Sequence, residues 1–155
     1  MSDTIHLVVF RLDDRRFALP LAAVEHVVRA VDVTPLPRAP SIVLGAVNVA
    51  GRVLPVLNVR RRFAISERAL VPADSFLLAR TARRPVVLAI DEAEGVVERP
   101  LGDIVESAQI APGLEHFPGV VRFDDGLVLI HDLARFLSLD ESQALDDAMG
   151  DGSGT

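Results

Sequence analysis

Leu7-Val8-Val9-Phe10-Arg11, near the start of the chain, is matched 69 residues later by Phe76-Leu77-Leu78-Ala79-Arg80. The match continues without a gap for more than twenty residues. It ends where Glu25-His26-Val27-Val28 aligns with Glu94-Gly95-Val96-Val97. Self-similarity at a fixed spacing indicates that one structural unit has been duplicated.

A second match follows the first in the same order along the chain. Gly45-Ala46-Val47-Asn48-Val49 aligns with Gly119-Val120-Val121-Arg122-Phe123, 74 residues later, and Pro55-Val56-Leu57-Asn58-Val59 aligns with Leu129-Ile130-His131-Asp132-Leu133 at the same spacing. Two ordered matches predict two similar halves, at residues 5–72 and 73–139, and leave open an exchange of strands between them.

Short apolar runs between polar, Gly or Pro turns predict about ten strands joined largely by hairpins. Helix is expected only at residues 57–63, at 132–137 with Asp132 as N-cap, and as a frayed stretch at 140–149. Residues 100–118 form an irregular connection that we expect to cap the seam between the halves. The predicted strands are residues 6–12, 17–21, 24–33, 44–49, 53–59, 75–81, 86–90, 95–98, 120–123 and 127–130.

Five strands in each half predict a mainly β fold of two small barrels, because closure hides strand edges that would otherwise aggregate. Two packed lobes leave a groove, where ligands or partner segments usually bind. Residues 140–155 are acidic and rich in small side chains, so we expect a mobile tail there.

The composition excludes several classes of protein. The 155 residues carry a formal net charge of −6, half of them are hydrophobic, and all seven aromatic residues are Phe. The absence of Cys excludes disulfides, thiolate metal sites and cysteine nucleophiles. The sequence begins without a signal-like segment, and the longest uncharged stretch, residues 39–51, is too short to span a bilayer. We therefore expect a cytoplasmic protein without membrane insertion.

The candidate reactive groups are weak in their context. His131-Asp132 is similar to a phospho-accepting box, but it follows a strand and not a turn of a long helix. No Gly-rich phosphate loop is present, and no cofactor is expected. Arg60-Arg61-Arg62 is interpreted as a solvated or partner-facing helix, and Asp91-Glu92-Ala93-Glu94 as a solvated strand end. Without Tyr or Trp, this chain is not expected to bind nucleic acid.

The stretch from Gly45 to Arg60, GAVNVAGRVLPVLNVR, resembles the signature of the CheW-like family of bacterial chemosensory adaptor proteins. The resemblance extends over nearly the whole chain, including Thr34-Pro35-Leu36-Pro37 and the closing segment from Gly119 to Leu137. It implies a pair of five-stranded SH3-like barrels with short helices over residues 5–139.

The resemblance also implies a function without catalysis. Members of the family join the cytoplasmic tip of chemoreceptors to the regulatory domain of a CheA-type histidine kinase. The receptor's helical hairpin lies in the groove between the lobes, and the kinase docks barrel to barrel. Positions carried over by the motifs place the partner-binding surface at Val24, His26, Gly45, Asn48, Ala50, Gly51, Val87, Val96 and Gly119.

Two positions depart from the family pattern. Ala50 stands where the family usually has Arg, and His26 where it usually has an acidic residue. Losing these charges removes contacts that orient partners. An adaptor of a divergent or non-flagellar chemosensory pathway therefore stays open as an alternative, and phosphotransfer through His131 as a remote one.

Overall fold

The computed structural model describes residues 3–106, 119–123 and 126–149, and they form a mainly β structure. The helices are α1 (Val59–Arg62) and α2 (Leu139–Ala148), with 3-10 turns at Leu21–Ala23, Leu101–Asp103 and Leu133–Arg135. The strands are β1 (Thr4–Leu12), β2 (Arg15–Pro20), β3 (Val24–Arg29), β4 (Val43–Val49), β5 (Arg52–Leu57), β6 (Ser75–Arg80), β7 (Pro85–Ile90), β8 (Glu92–Pro100), β9 (Ile104–Glu106), β10 (Gly119–Phe123) and β11 (Gly126–Ile130).

The strands form two sheets, and each sheet takes strands from both halves of the sequence. Sheet 1 has the order β8-β1-β2-β11-β10-β9, and sheet 2 has the order β3-β6-β7-β5-β4. The first hairpin, β1–β2, therefore belongs with the end of the chain, and β6–β7 belongs with the first half. The spatial units are thus not the continuous segments 5–72 and 73–139, because the halves exchange their leading hairpins.

The sequence repeat relates one sheet to the other strand by strand. Replacing β3, β6, β7, β5 and β4 by their repeat equivalents gives β8-β1-β2-β11-β10, which is the order of sheet 1 without β9. Each sheet contains one parallel pair, in which Val56 lies opposite Val87 and Ile130 lies opposite Ala18. These pairs are equivalent under the 69- and 74-residue spacings, so the duplication inferred from sequence extends to the register.

The two sheets also share a β-bulge. The register shifts at Glu25 in β3 and at its equivalent Glu94 in β8. Each bulged carboxylate lies near the equivalent arginine, Glu25 at 3.5 Å from Arg80 and Glu94 at 3.8 Å from Arg11. A bulge leaves one residue outside the ladder and increases the local twist, and here both bulges carry the same ion pair.

Three hydrophobic clusters explain why the central strands lack polar alternation. In β1, Leu7 and Val9 point into the core of sheet 1, while Val8 and Phe10 point into the cluster between the sheets. Strand β6 does the same from the other side, with Leu78 in its own sheet and Leu77 between the sheets. Strands buried on both faces read as continuous apolar runs. The prediction of a mainly β fold with two β subdomains is confirmed.

Helix α1 and the 3-10 turn at Leu133–Arg135 each begin directly after a residue whose side chain caps them. Helix α1 begins after Asn58, whose Oδ1 accepts a hydrogen bond from the Arg61 N–H at 3.0 Å. Asp132 caps the turn at Leu133–Arg135 by accepting from the Ala134 N–H at 3.0 Å, as predicted. Strand β9 was not predicted, and it lies in the segment expected to be irregular. Residues 107–118, the rest of the expected cap over the seam, lie outside the described residues.

The region expected to be a mobile tail contains α2. Ser138 and Glu141 form a capping box at its N-terminus, and Leu145 is buried against the cluster between the sheets. The helical stretch expected at residues 140–149 is therefore present as α2, and its acidic residues Glu141 and Asp146 meet arginines. The mobility of the tail stays a prediction. Residues 150–155 lie outside the described residues.

Candidate functional site: the seam between the barrels

One end of the seam is closed by a network of charged side chains. Arg60 is only 8% exposed, and its Nη2 donates to Asp13 Oδ1 at 2.8 Å and to Asp91 Oδ1 at 2.8 Å. Arg68 donates to Asp91 at 2.9 Å and to both oxygens of Asp74 at 2.8 Å. We call these five residues the closed end. They come from the β1–β2 turn, α1, the loop before β6 and the β7–β8 turn, so they tie sheet 1 to sheet 2.

The network shifts the ionisation of its members. The Arg60 guanidinium holds the pKa of Asp13 below its usual range, and the Arg68 guanidinium, with the Val71 N–H, does the same for the pKa of Asp74. Burial alone would lower the pKa of Arg60, but its bonds to Asp13 and Asp91 outweigh burial and raise it. Asp13, Asp74 and Arg60 therefore stay charged near neutral pH, and the geometry of the network is that of a lock between the barrels.

The interpretations of Arg60 and Asp91 as solvated residues were wrong. Both residues are oriented inward, where each satisfies the other's charge. Of the arginine cluster, Arg61 matches the expectation, since its side chain is 45% exposed.

The opposite end of the seam has alanines at the equivalent positions. Under the repeat, Asp13, Arg60 and Asp91 correspond to Ala82, Ala134 and Ala22. Ala82 and Ala134 line a cavity of about 320 Å³. We call this the open end. Its walls also include Pro20, Ala23, Arg80, Thr81, Ile130 and Leu133. At the closed end the cavity beside Arg60 is only about 50 Å³, and a larger one of about 550 Å³ lies outside the network, along Arg68, Asp74 and Asp91.

Several predicted site residues lie beside the open end. Val24 directly follows Ala23 of the cavity wall, and His26 is exposed two residues further along β3. Between them, Glu25 bonds both Arg80 of the wall and Arg52, the latter at 2.8 Å. Arg52 holds the pKa of Glu25 below its ordinary value. Glu25 and Arg52 were not predicted as site residues from the sequence, although their neighbours along the chain were.

The Arg52 ion pair brings the β4–β5 hairpin to β3. Ala50 and Gly51 have φ values of +52° and +85°, as a two-residue type I′ turn requires. Asn48 Oδ1 accepts from the Gly51 N–H at 3.0 Å and stabilises the turn. Predicted residues on β3 and on this hairpin therefore belong to one surface, beside the open end.

Gly45 and Gly119 make close approaches within the chain itself. A Cβ at Gly45 would overlap the Thr34 carbonyl oxygen and lie 2.6 Å from Val33 Cγ1. At Gly119 it would lie 2.8 Å from Ile104 Cγ2. Both glycines are buried, so the close contact assigned to a partner is made by neighbouring segments of this chain.

The two predicted valines differ in accessibility. Val87 is 0% exposed in the core of sheet 2, so its side chain cannot contact a partner in this fold. Val96 is 54% exposed on β8 in sheet 1. Its repeat equivalent Val27, exposed on β3, was missed, although the 69-residue spacing could have identified it.

His131 is enclosed by aromatic rings. It is 0% exposed, with ring centroids 5.0 Å from Phe63 and 5.3 Å from Phe136. His131 contributes to the wall of the open-end cavity, but its side chain is buried in this fold, and the structure gives the phosphotransfer alternative no support. Among the described residues, no group of three or more His, Asp or Glu side chains could hold a metal ion, and no helix is long and apolar enough to cross a membrane.

Two small barrels with exchanged hairpins, locked at one end of their seam and open at the other, define a β module of the docking type. Comparison with known proteins gives the family. The CheW-like domain model matches residues 6–141, and the chain belongs to the CheW-like family. Membership makes it a chemotaxis signal-transduction adaptor, as the sequence predicted.

Relatives match over most of their length. Chemotaxis protein CheW of Treponema pallidum is 26% identical over 150 residues, covering 93% of this chain and 88% of the relative. Protein FrzA of Myxococcus xanthus is 32% identical over 114 residues, covering 73% of this chain and 71% of the relative. The crystal structure of the scaffolding protein TtCheW from Thermoanaerobacter tengcongensis superposes with a TM-score of 0.79 at 22% identity, covering 91% and 96% of the two chains. This last match supports the fold.

Proposed function

We propose that the chain joins the cytoplasmic tip of a chemoreceptor to the regulatory domain of a CheA-type histidine kinase in the cytoplasm. The proposal assigns no catalytic step to the chain. The chain acts by holding the receptor and the kinase in a fixed arrangement through two separate surfaces.

The receptor is proposed to bind at the open end of the seam. Its cavity of about 320 Å³ is lined largely by small and apolar side chains, including Ala82, Ala134 and Leu133. Alanines allow the backbone of a partner helix to approach closely, and burial of the partner's apolar side chains against the apolar walls is favourable. Arg80 and Glu25 at the rim can orient polar groups of the partner.

Exposed apolar pairs on the outer faces of the barrels support the kinase contact. Val27 and Val53 are exposed on sheet 2, and their repeat equivalents Val96 and Leu127 are exposed on sheet 1. Isolated exposed apolar residues need no explanation, but repetition at equivalent positions favours docking faces. The predicted residue Val96 belongs to this second surface.

Transplanting the lock to the open end tests the receptor site. The double variant Ala82→Asp/Ala134→Arg places an ion pair where the closed end has Asp13 and Arg60. Binding of a receptor cytoplasmic fragment, measured by calorimetry, should weaken more than about tenfold, while kinase-domain binding is retained. Ala69→Arg, exposed beside the closed end, is the matched control. Unchanged receptor binding would contradict the assignment.

The divergent-pathway alternative rests on His26 and Ala50, which flank the Arg52–Glu25 ion pair. These residues offer no charge of the usual kind, so partners with complementary changes are expected. Restoring the family's usual residue with Ala50→Arg, and measuring kinase stimulation with receptors from a standard pathway and from the chain's own gene neighbourhood, separates the two. Stimulation gained only with the standard receptor supports the divergent pathway.

A further inference from the structure

Helix α2 rests on a site that both barrels build. Glu141 accepts from Arg62 of α1 at 2.6 Å, and Asp146 accepts from Arg84 at 2.6 Å and Arg83 at 2.8 Å in the β6–β7 turn. The carboxylates thus clamp the helix at both ends of its buried face. Burial alone would raise the pKa of Glu141, but the Ser138 N–H and Arg62 outweigh it, so the pKa is lowered and Glu141 stays charged.

The apolar contact beneath α2 is small. Leu145 is the single buried residue of the helix, at 1% exposed. A cavity of about 120 Å³ remains beside it, lined by Leu57, Val86 and Phe136 among others. Leu137 and Met149, at the two ends of the helix, pack partly buried against the same cluster. A helix held by few apolar contacts and by partly exposed ion pairs is weakly attached, because such pairs contribute little and are screened by salt.

The site under α2 is continuous with the open end. Thr81, Ala82, Leu133 and Ala134 line both cavities. Removing α2 would therefore lengthen the groove at the open end and expose three arginines along one side of it. The positive charge of the arginines and the apolar floor together favour an acidic amphipathic helix such as α2.

We propose that α2 is a reversible strap over a docking site for an acidic amphipathic helix. The site takes a helix with a leucine, a carboxylate four residues before it and another one residue after it, the pattern of Glu141, Leu145 and Asp146. In the free chain α2 fills this site, and a partner helix of the same pattern replaces it. The inference does not depend on the identity of the receptor or the kinase.

Hydrogen exchange on the full chain tests the reversibility. Amide exchange over residues 142–149 should accelerate about tenfold between low salt and 1 M NaCl, because ions screen the clamp. Amides of β6 and β7 are the internal reference and should be unaffected. Salt-independent exchange of α2 would overturn the proposal.

A labelled peptide of residues 138–149 tests the site itself. It should bind full-length Leu145→Ser more than about tenfold tighter than the unaltered chain, because the weakened strap leaves the site available. Asp146→Arg provides a second weakened strap if Leu145→Ser fails to fold. Adding Arg83→Gln/Arg84→Gln should weaken binding severalfold, and a peptide with Ser for Leu should not bind. Equal binding to weakened and unaltered chains, or binding to neither, would overturn the proposal.

Discussion

Equivalent positions in the two halves of the molecule carry different residues with opposite consequences. At the closed end, Arg60 lies between Asp13 and Asp91, and the barrels are locked together. At the open end the repeat supplies Ala134, Ala82 and Ala22, and a cavity remains. Both ends share the strand order and register of the repeat. Their side chains differ, because charged groups link the sheets at one end and alanines line a cavity at the other.

Gly45 and Gly119, which occupy equivalent positions in the repeat, also differ in their surroundings. Gly45 approaches a backbone carbonyl of Thr34, which is held by the Thr34–Ala46 bridge. At Gly119 the overlap would be with the side chain of Ile104, which can move, while Ile130 and the Val105 carbonyl oxygen lie at ordinary contact distance. Equivalence under the repeat therefore does not mean equal tolerance to substitution.

The largest expected effect comes from this pair of glycines. Gly45→Ala should lower the free energy of unfolding by about 3 kcal/mol, since a backbone overlap cannot relax. Gly119→Ala should cost about 1 kcal/mol, because Ile104 can change rotamer. Urea unfolding of both variants measures the difference. Equal losses would show that the two barrels are equally tight at this position.

Removing the central cation of the closed end should have the next largest effect. Arg60→Ala leaves Asp91 without its main partner and should lower stability by about 2 kcal/mol, less than for a fully buried pair because Asp13 is half exposed. Arg61→Ala, on the exposed side of α1, should change stability by less than about 0.5 kcal/mol. Denaturant titration compares the two. A similar small loss for both would mean that the lock does not hold the barrels together.

Acid should weaken the closed end first. The pKa of Asp74 is lowered in the folded state, so its stabilising contribution is present above the unfolded value of about 4 and is lost as pH falls through the folded value. Asp74→Asn should therefore cost about 1 kcal/mol at neutral pH, and the difference should vanish in acid. Urea unfolding from pH 7 down to pH 2 tests this, with exposed Asp14→Asn as the control. A difference that does not shrink as the pH falls below about 4 would contradict the charge-based role.

The local sequence pattern was sufficient to predict most of the strands and the duplication. The runs that became β1 and β6 are apolar on both faces, and the repeat identified them as equivalents before any pairing was known. Strand β9 was missed because three residues, Ile104–Glu106, are too few to show a period. Asp132 was found as a cap because capping depends on residues close in sequence.

Long-range pairing explains what sequence reasoning missed. Arg60 finds Asp13 and Asp91, which are 47 and 31 residues away, and nothing near Arg60 in the sequence indicates this. Val87 and Val96 both lie in apolar strand segments, but only the topology shows that β7 is covered on both faces while β8 lies at the edge of sheet 1. The residues on β3 and the β4–β5 hairpin were selected by resemblance, and their assignment as partner contacts stays a prediction.

The exchanged hairpins have a consequence for how the chain acquires its structure during synthesis. The first strand pairs along its length with a strand whose last partner, Pro100, lies far from Thr4, so sheet 1 cannot assemble until most of the polypeptide has left the ribosome. Closing such large loops is slow, and the edges of strands that have already been synthesised stay unpaired during that time. Folding of this adaptor is therefore a late event, for which chaperone protection of the emerging N-terminal hairpin would be valuable.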